Sequence, residues 1–166
     1  MSRIRALFKQ SGASTNVATL SSVVAEARNL MADEALRRRV RMDVDIENDL
    51  PLIAFDRVQV QQVLINLIRN GLDAIDSAAG ERVIGVRVHR KGEVVQTEVS
   101  DCGRGVEFPE RIFEPFFTTK EHGMGMGLAI CRSIVESHGG RLWVEKNEPH
   151  GARFVFTLPV EAKTVP

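Results

Sequence analysis

Gln61-Gln-Val-Leu-Ile-Asn66-Leu-Ile-Arg-Asn70-Gly-Leu-Asp73-Ala-Ile-Asp-Ser77 is the stretch whose reading decides the fold. Val58, Val60, Val63, Leu64, Ile65, Leu67, Ile68, Leu72 and Ile75 keep helical spacing through it. That pattern predicts a long helix over 56–79, with Asp56 as its N-cap and Gly80 closing it. Within it, Gln62, Asn66, Asn70, Asp73 and Ser77 fall at steps of four, four, three and four. At ~100° per residue these side chains share one narrow face. Asparagine inside a helix costs about a few tenths of a kcal/mol, and a solvated face is normally built from Glu, Lys and Arg. Amides in their place point to a binding stripe whose oxygens suit Mg²⁺, a hard cation that keeps several waters and shares its shell with phosphates. An ordinary solvated face is the alternative that spacing leaves open.

Outward from this helix, the chain alternates helices and hairpins. Val24, Ala27, Leu30, Met31, Ala35 and Leu36 predict a helix over Ser21–Arg39, followed by an alternating strand, Val40–Ile46. Pro51 precedes a short apolar stretch, Leu52–Phe55. Further upstream, Gln10–Asn16 reads as a linker and Arg3–Phe8 as the tail of a longer helix. Downstream, Arg82–His89 and Val94–Ser100 form a hairpin turning at Lys91-Gly92. A helix over about 125–138 stops at Gly139-Gly140, and Arg141–Lys146 and Ala152–Pro159 are a last pair of strands. The fold class is therefore α/β: a two-layer α/β sandwich, its sheet mixed but mostly antiparallel and covered by about three helices.

Two glycine clusters flank a phenylalanine-rich segment. Asp101-Cys-Gly103-Arg-Gly105 follows a strand and can present a carboxylate into a pocket, as an acceptor for an exocyclic amine, while the backbone turns sharply. An ordinary Asp-Gly turn is the plain alternative. Gly123-Met-Gly125-Met-Gly127-Leu128 precedes a helix, so its free amides make an anion site, with Lys120 and His122 just before it. It lacks the ending of a P-loop and the βαβ setting of a dinucleotide fold. Between them, Ile112-Phe-Glu-Pro-Phe-Phe-Thr-Thr-Lys120 reads as a flap, or else as a loop pinned to the core by its aromatic rings.

Composition narrows the classes. The 166 residues suit one domain, or one domain plus a short appendage, and 22 basic against 22 acidic residues give no net charge. Bulk electrostatic binding to nucleic acid and a polybasic membrane anchor are not indicated. No apolar run approaches the ~18 residues of a membrane span, and there is no signal-peptide core. Two separated cysteines, Cys102 and Cys131, argue against a disulfide scaffold or a zinc site and for a cytoplasmic setting.

Together these segments resemble the catalytic, ATP-binding domain of sensor histidine kinases, the Bergerat or GHKL fold, over about residues 20–160. Gln61–Ala74 is similar to the N box, Asp101–Gly105 to the G1 box, Phe113–Lys120 to the F box and Gly123–Leu128 to the G2 box, in the family's order. Ser137-His-Gly-Gly140, Trp143-Val-Glu and Gly151–Pro159 also fit, and the wording is nearest to the FixL and NtrB type.

The resemblance implies that Asn70 ligates Mg²⁺ between the phosphates of ATP, with Asn66 one turn before it near metal and phosphates. It implies that Asp101 accepts from the adenine N6 amine and that Gly103 and Gly105 let the chain pass close to the base. Residues 106–122 would be a lid, Gly123, Gly125 and Gly127 a phosphate cradle, and Lys120 a contact to the γ-phosphate. Met124, Met126 and Leu128 belong to the same loop, and Thr157 matches a strand hydroxyl near adenine. Asn66, Asn70 and Lys120 are the candidate catalytic residues. Asp73 stands where many members carry Lys, leaving Arg69 as a substitute charge, and the segment between Gly105 and Phe113 is short.

The implied function is transfer of the γ-phosphoryl group from Mg-ATP to a histidine in two-component signal transduction. Phosphoryl transfer needs positioning and charge neutralisation more than covalent help. Hydrolytic relatives such as gyrase place a Glu base where this chain has Asn66, and an amide is no general base. His89, His122, His138 and His150 read as structural or exposed, and no phosphoacceptor signature is present. The implied partners are a histidine-bearing dimerisation domain of the same parent protein and a response regulator. Nucleic acid and direct membrane contact are not implied, and the module is expected to be a monomer. A GHKL-type protein-serine kinase and a non-catalytic nucleotide-binding module are the alternatives. The organisation expected is a linker or truncated dimerisation helix over 1–19, the ATP-binding domain over 20–160 and a tail over 161–166.

Overall fold

The computed structural model describes residues 15–76, 78, 80–115 and 127–160. Three helices are present among them: α1 (Leu20–Arg37), α2 (Arg57–Asp76) and α3 (Gly127–Ser137). The strands are β1 (Thr15–Ala18), β2 (Arg41–Ile46), β3 (Ile53–Asp56), β4 (Val83–Lys91), β5 (Val94–Asp101), β6 (Leu142–Lys146) and β7 (Ala152–Pro159). Five of them form one sheet in the order β2-β4-β5-β7-β6, parallel only between β2 and β4. This is the α/β sandwich that the pattern of elements predicts.

A separate ribbon pairs β1 with β3, from Thr15 opposite Asp56 to Ala18 opposite Ile53. Thr15 and Asn16, read above as the end of a linker, are thus paired strand residues. Their partners lie some forty positions on, where no local pattern announces them.

The long helix forms because its apolar stripe can bury. Val60, Val63, Leu64, Leu67, Ile68, Leu72 and Ile75 are all at most 1% exposed and meet β-sheet residues such as Ile84, Val99 and Phe156 in one core. Asp56 caps it, its Oδ1 accepting the Gln59 amide at 3.1 Å. α1 runs alongside in the same direction, and three hydrogen bonds between the two share an offset of 35 residues. Ser22 meets Arg57, Glu26 meets Gln61 and Arg38 meets Asp73. The core side of the sheet therefore carries α2 at its centre.

Candidate functional site

The carboxyl end of β5 delivers Asp101 against the last turns of α2. Its carboxylate is 3% exposed, and Oδ1 accepts the Gly103 amide at 2.8 Å and the Ala152 amide at 3.4 Å. Among the described residues no cation pairs with it. Glu98, the other deeply buried carboxylate, lies on the opposite sheet face and is answered by His89 at 3.1 Å, Gln96 at 3.0 Å and Arg153 at 3.8 Å. Burial pushes the Asp101 carboxyl above its ordinary range, and the two amides and His150 pull it partly back. A buried acceptor held by amides on one oxygen, with no hydrogen bond to Oδ2 among the described residues, is suited to reading a donor on a ligand.

Glycines make this approach possible. A Cβ on Gly71 would stand 3.6 Å from the Asp101 Cβ and 3.8 Å from Oδ2, so the helix meets the carboxylate as bare backbone. A Cβ on Gly103 would sit 2.6 Å from the Ala74 carbonyl, so the loop after Asp101 lies directly on α2. Gly105 holds φ +85°, a left-handed turn that glycine adopts without strain.

The amide stripe lies along the same helix. Asn66 and Asn70 are half-buried, and the Asn66 amide nitrogen donates to the Cys131 sulfur on α3 at 3.6 Å. Burial raises the Cys131 thiol to about 11, so the partner is a neutral S–H. With its nitrogen turned to α3, Asn66 presents its carbonyl oxygen elsewhere. Asp73, in the same stripe, takes Arg38 Nη1 at 2.9 Å, and Arg69 is exposed. No cluster of three His, Cys, Asp or Glu able to hold a metal occurs among the described residues. The neutral amide oxygens instead fit a cation that shares its shell with phosphates.

The other site residues divide three ways. Gly127 and Leu128 open α3, and Leu128 packs on the core. Lys120, Gly123, Met124, Gly125 and Met126, with Ser77, Phe116, Phe117 and His122, lie outside the described residues. Phe113, the second residue of the flap segment, is an anchor: its ring meets Phe154 edge-on at 6.3 Å, and Arg132 stands 5.7 Å over it.

Thr157 is not brought to this group. Phe154, Phe156 and Leu158 face the helices, so Thr157 faces the other side of the sheet, opposite Gln96. Its hydroxyl accepts the Arg141 amide at 3.1 Å. The β7 residue at Asp101 is Ala152, five positions earlier, and strand alternation alone would have excluded Thr157.

Each described histidine has a hydrogen-bond partner within the fold. His138 accepts the Asp56 amide on Nε2 at 3.0 Å and donates from Nδ1 to Ile134 at 2.8 Å, His89 meets Glu98, and His150 meets the Gly103 carbonyl.

The mixed sheet under three helices, with a buried carboxylate at the end of its central helix, has counterparts among known proteins. Residues 55–162 match the family described as histidine kinase-, DNA gyrase B-, and HSP90-like ATPase, and the chain belongs to that family. Sensor protein FixL of Bradyrhizobium diazoefficiens is 38% identical over 159 residues, which cover 95% of this chain and 32% of that protein. The chain thus spans about a third of that relative's length. The catalytic domain of histidine kinase ThkA, in a nucleotide-free form, superposes with a TM-score of 0.77 at 33% identity, over 89% of this chain and 96% of that one. The same kinase in complex with response regulator protein TrrA matches with a TM-score of 0.71 at 31% identity, over 87% of this chain and 41% of that one. Full-length ShkA in complex with AMPPNP gives a TM-score of 0.79 at 25% identity, over 92% of this chain and 32% of that one.

Proposed function

We propose that this domain binds Mg-ATP and donates its γ-phosphoryl group to a histidine on a separate dimerisation domain, for onward passage to a response regulator. The observation that carries the reading is Asp101, buried with no counter-cation among the described residues and held by backbone amides at the end of the amide-bearing helix. Similarity to ShkA, solved with AMPPNP, and to ThkA, solved with TrrA, supports the nucleotide and the downstream partner.

Asp101 accepts from the adenine amine, and the bare backbone at Gly71, Gly103 and Gly105 admits the base. Asn70 is the metal ligand, with the Asn66 oxygen one turn earlier beside it. Mg²⁺, when bound, supplies charge neutralisation for the phosphates. Arg69 and Lys120 add positive charge, while Gly123 to Leu128 offer main-chain amides to the phosphates. Asp73 keeps Arg38 at the rim of the site. Asn66 cannot take a proton from water, so the bound nucleotide is kept for transfer rather than hydrolysis.

The test is incubation with γ-labelled ATP, Mg²⁺ and a histidine-bearing dimerisation domain taken from a FixL-like kinase. Acid-labile, alkali-stable label on that partner is the expected result. Acid-stable label on serine would reassign the domain as a serine kinase, and label on neither, with nucleotide bound, would make it a binding module.

A further inference from the structure

Building on the adenine-reading role of Asp101, we propose that the turn between β6 and β7 is its positioning element, with Asn147 and His150 as the two positioning residues. The register between β5 and β7 ends at Ser100 opposite Arg153, so the chain from Asp101 onward leaves that ladder just where the carboxylate must be aimed. The turn supplies the missing partners. Asn147 Nδ2 donates to the Asp101 carbonyl at 2.8 Å, and the Asn147 amide closes the turn on the Gly151 carbonyl at 3.1 Å. His150 Nδ1 donates to the Gly103 carbonyl at 3.1 Å, and its ring lies against Gly80, where a Cβ would stand 3.7 Å away.

The two segments are also in backbone contact. A Cβ on Gly151, which holds φ +106°, would fall 2.0 Å from the Asp101 carbonyl oxygen and 3.0 Å from the Cys102 Cα. Ala152, the next residue, gives its amide to the carboxylate itself. The main chain leaving Asp101 is thus fixed by the turn at two points, by Asn147 at the Asp101 carbonyl and by His150 at the Gly103 carbonyl, while the chain entering it is held by the β-ladders. A hydrogen bond weakens steeply as its angle departs from linear. Loss of either side-chain donor therefore acts on base discrimination more than on phosphate contacts, which lie farther along α2.

Calorimetric titration of the full chain with Mg²⁺ complexes of non-hydrolysable ATP and GTP analogues tests this, with thermal unfolding in parallel. Asn147→Ala and His150→Phe are each expected to lower the adenine-over-guanine affinity ratio by about tenfold, the scale of one impaired hydrogen bond to a charged group. His150→Asn is expected to restore the ratio, because its Nδ2 takes the place of Nδ1. If Asn147→Ala does not fold, the contrast between His150→Phe and His150→Asn decides. Folded variants with an unchanged ratio, while Asp101→Asn loses it, would overturn the positioning role and leave the adenine reading standing. Equal binding of both analogues by the parent chain would overturn that reading and the inference with it.

Discussion

Arg38 and Asp73 meet at 2.9 Å, tying the end of α1 to the amide-bearing helix one turn beyond Asn70. The same guanidinium reaches Asp76 at 3.0 Å and Glu34 at 2.7 Å, and the carboxylates, Asp73 foremost, hold it above its ordinary pKa. Arg82, just before β4, braces the arrangement by donating to the Arg38 carbonyl at 2.7 Å. Arg38→Ala removes the cation that three carboxylates share. We expect a loss of about 1–2 kcal/mol in urea denaturation and a weaker affinity for Mg-nucleotide, since negative charge near the phosphates is less fully offset. Asp73→Asn in the Arg38→Ala background should recover part of both losses. An unchanged urea midpoint would contradict this.

Gly103 and Gly140 separate function from stability. Gly103→Ala drives a methyl to 2.6 Å from the Ala74 backbone and lifts the loop from α2. Nucleotide affinity should fall tenfold or so, with a stability loss of about 1–3 kcal/mol. Gly140→Ala places its methyl 1.7 Å from the Thr157 carbonyl oxygen, away from Asp101. Stability should fall at least as far, while the folded fraction binds nucleotide as the parent does. Calorimetry and unfolding on both variants check the contrast.

What was legible in the sequence was what repeats with a period. The apolar stripe of α2, the amide stripe beside it and the paired hairpins follow from spacing alone, and Asp101 is recognisable as a carboxylate at a strand end followed by glycines. Contacts between distant segments leave no such trace. β1 is a four-residue strand whose partner lies across α1 and β2. Arg38 reaches Asp73 across 35 positions, and Asn147 reaches Asp101 across 46. The facing of Thr157 is also legible, because Phe154 and Phe156 on either side of Val155 fix the strand's even positions toward the core and turn Thr157 away from Asp101.

Asp101 sets a pH signature. Its folded pKa lies above the ordinary 3.8 because burial disfavours the anion, so the folded chain binds that proton more tightly than the unfolded chain. The carboxyl's share of stability is complete below the ordinary value and is lost as pH climbs through the raised one. Asp101→Asn stays neutral and still offers an oxygen to the Gly103 and Ala152 amides. Its thermal midpoint should exceed the parent's at about pH 7 and converge with it near pH 4, while adenine selectivity falls. A variant less stable than the parent at neutral pH would contradict the burial argument.

Asn70 tests the central claim most directly. Titrating a non-hydrolysable ATP analogue into the parent chain and into Asn70→Ala, with and without Mg²⁺, measures whether the amide stripe of α2 holds a metal-nucleotide complex. The account predicts binding that depends on Mg²⁺ in the parent and is lost in Asn70→Ala, with the thermal midpoint of the free protein kept. Equal affinity in both chains, or binding indifferent to Mg²⁺, would contradict it.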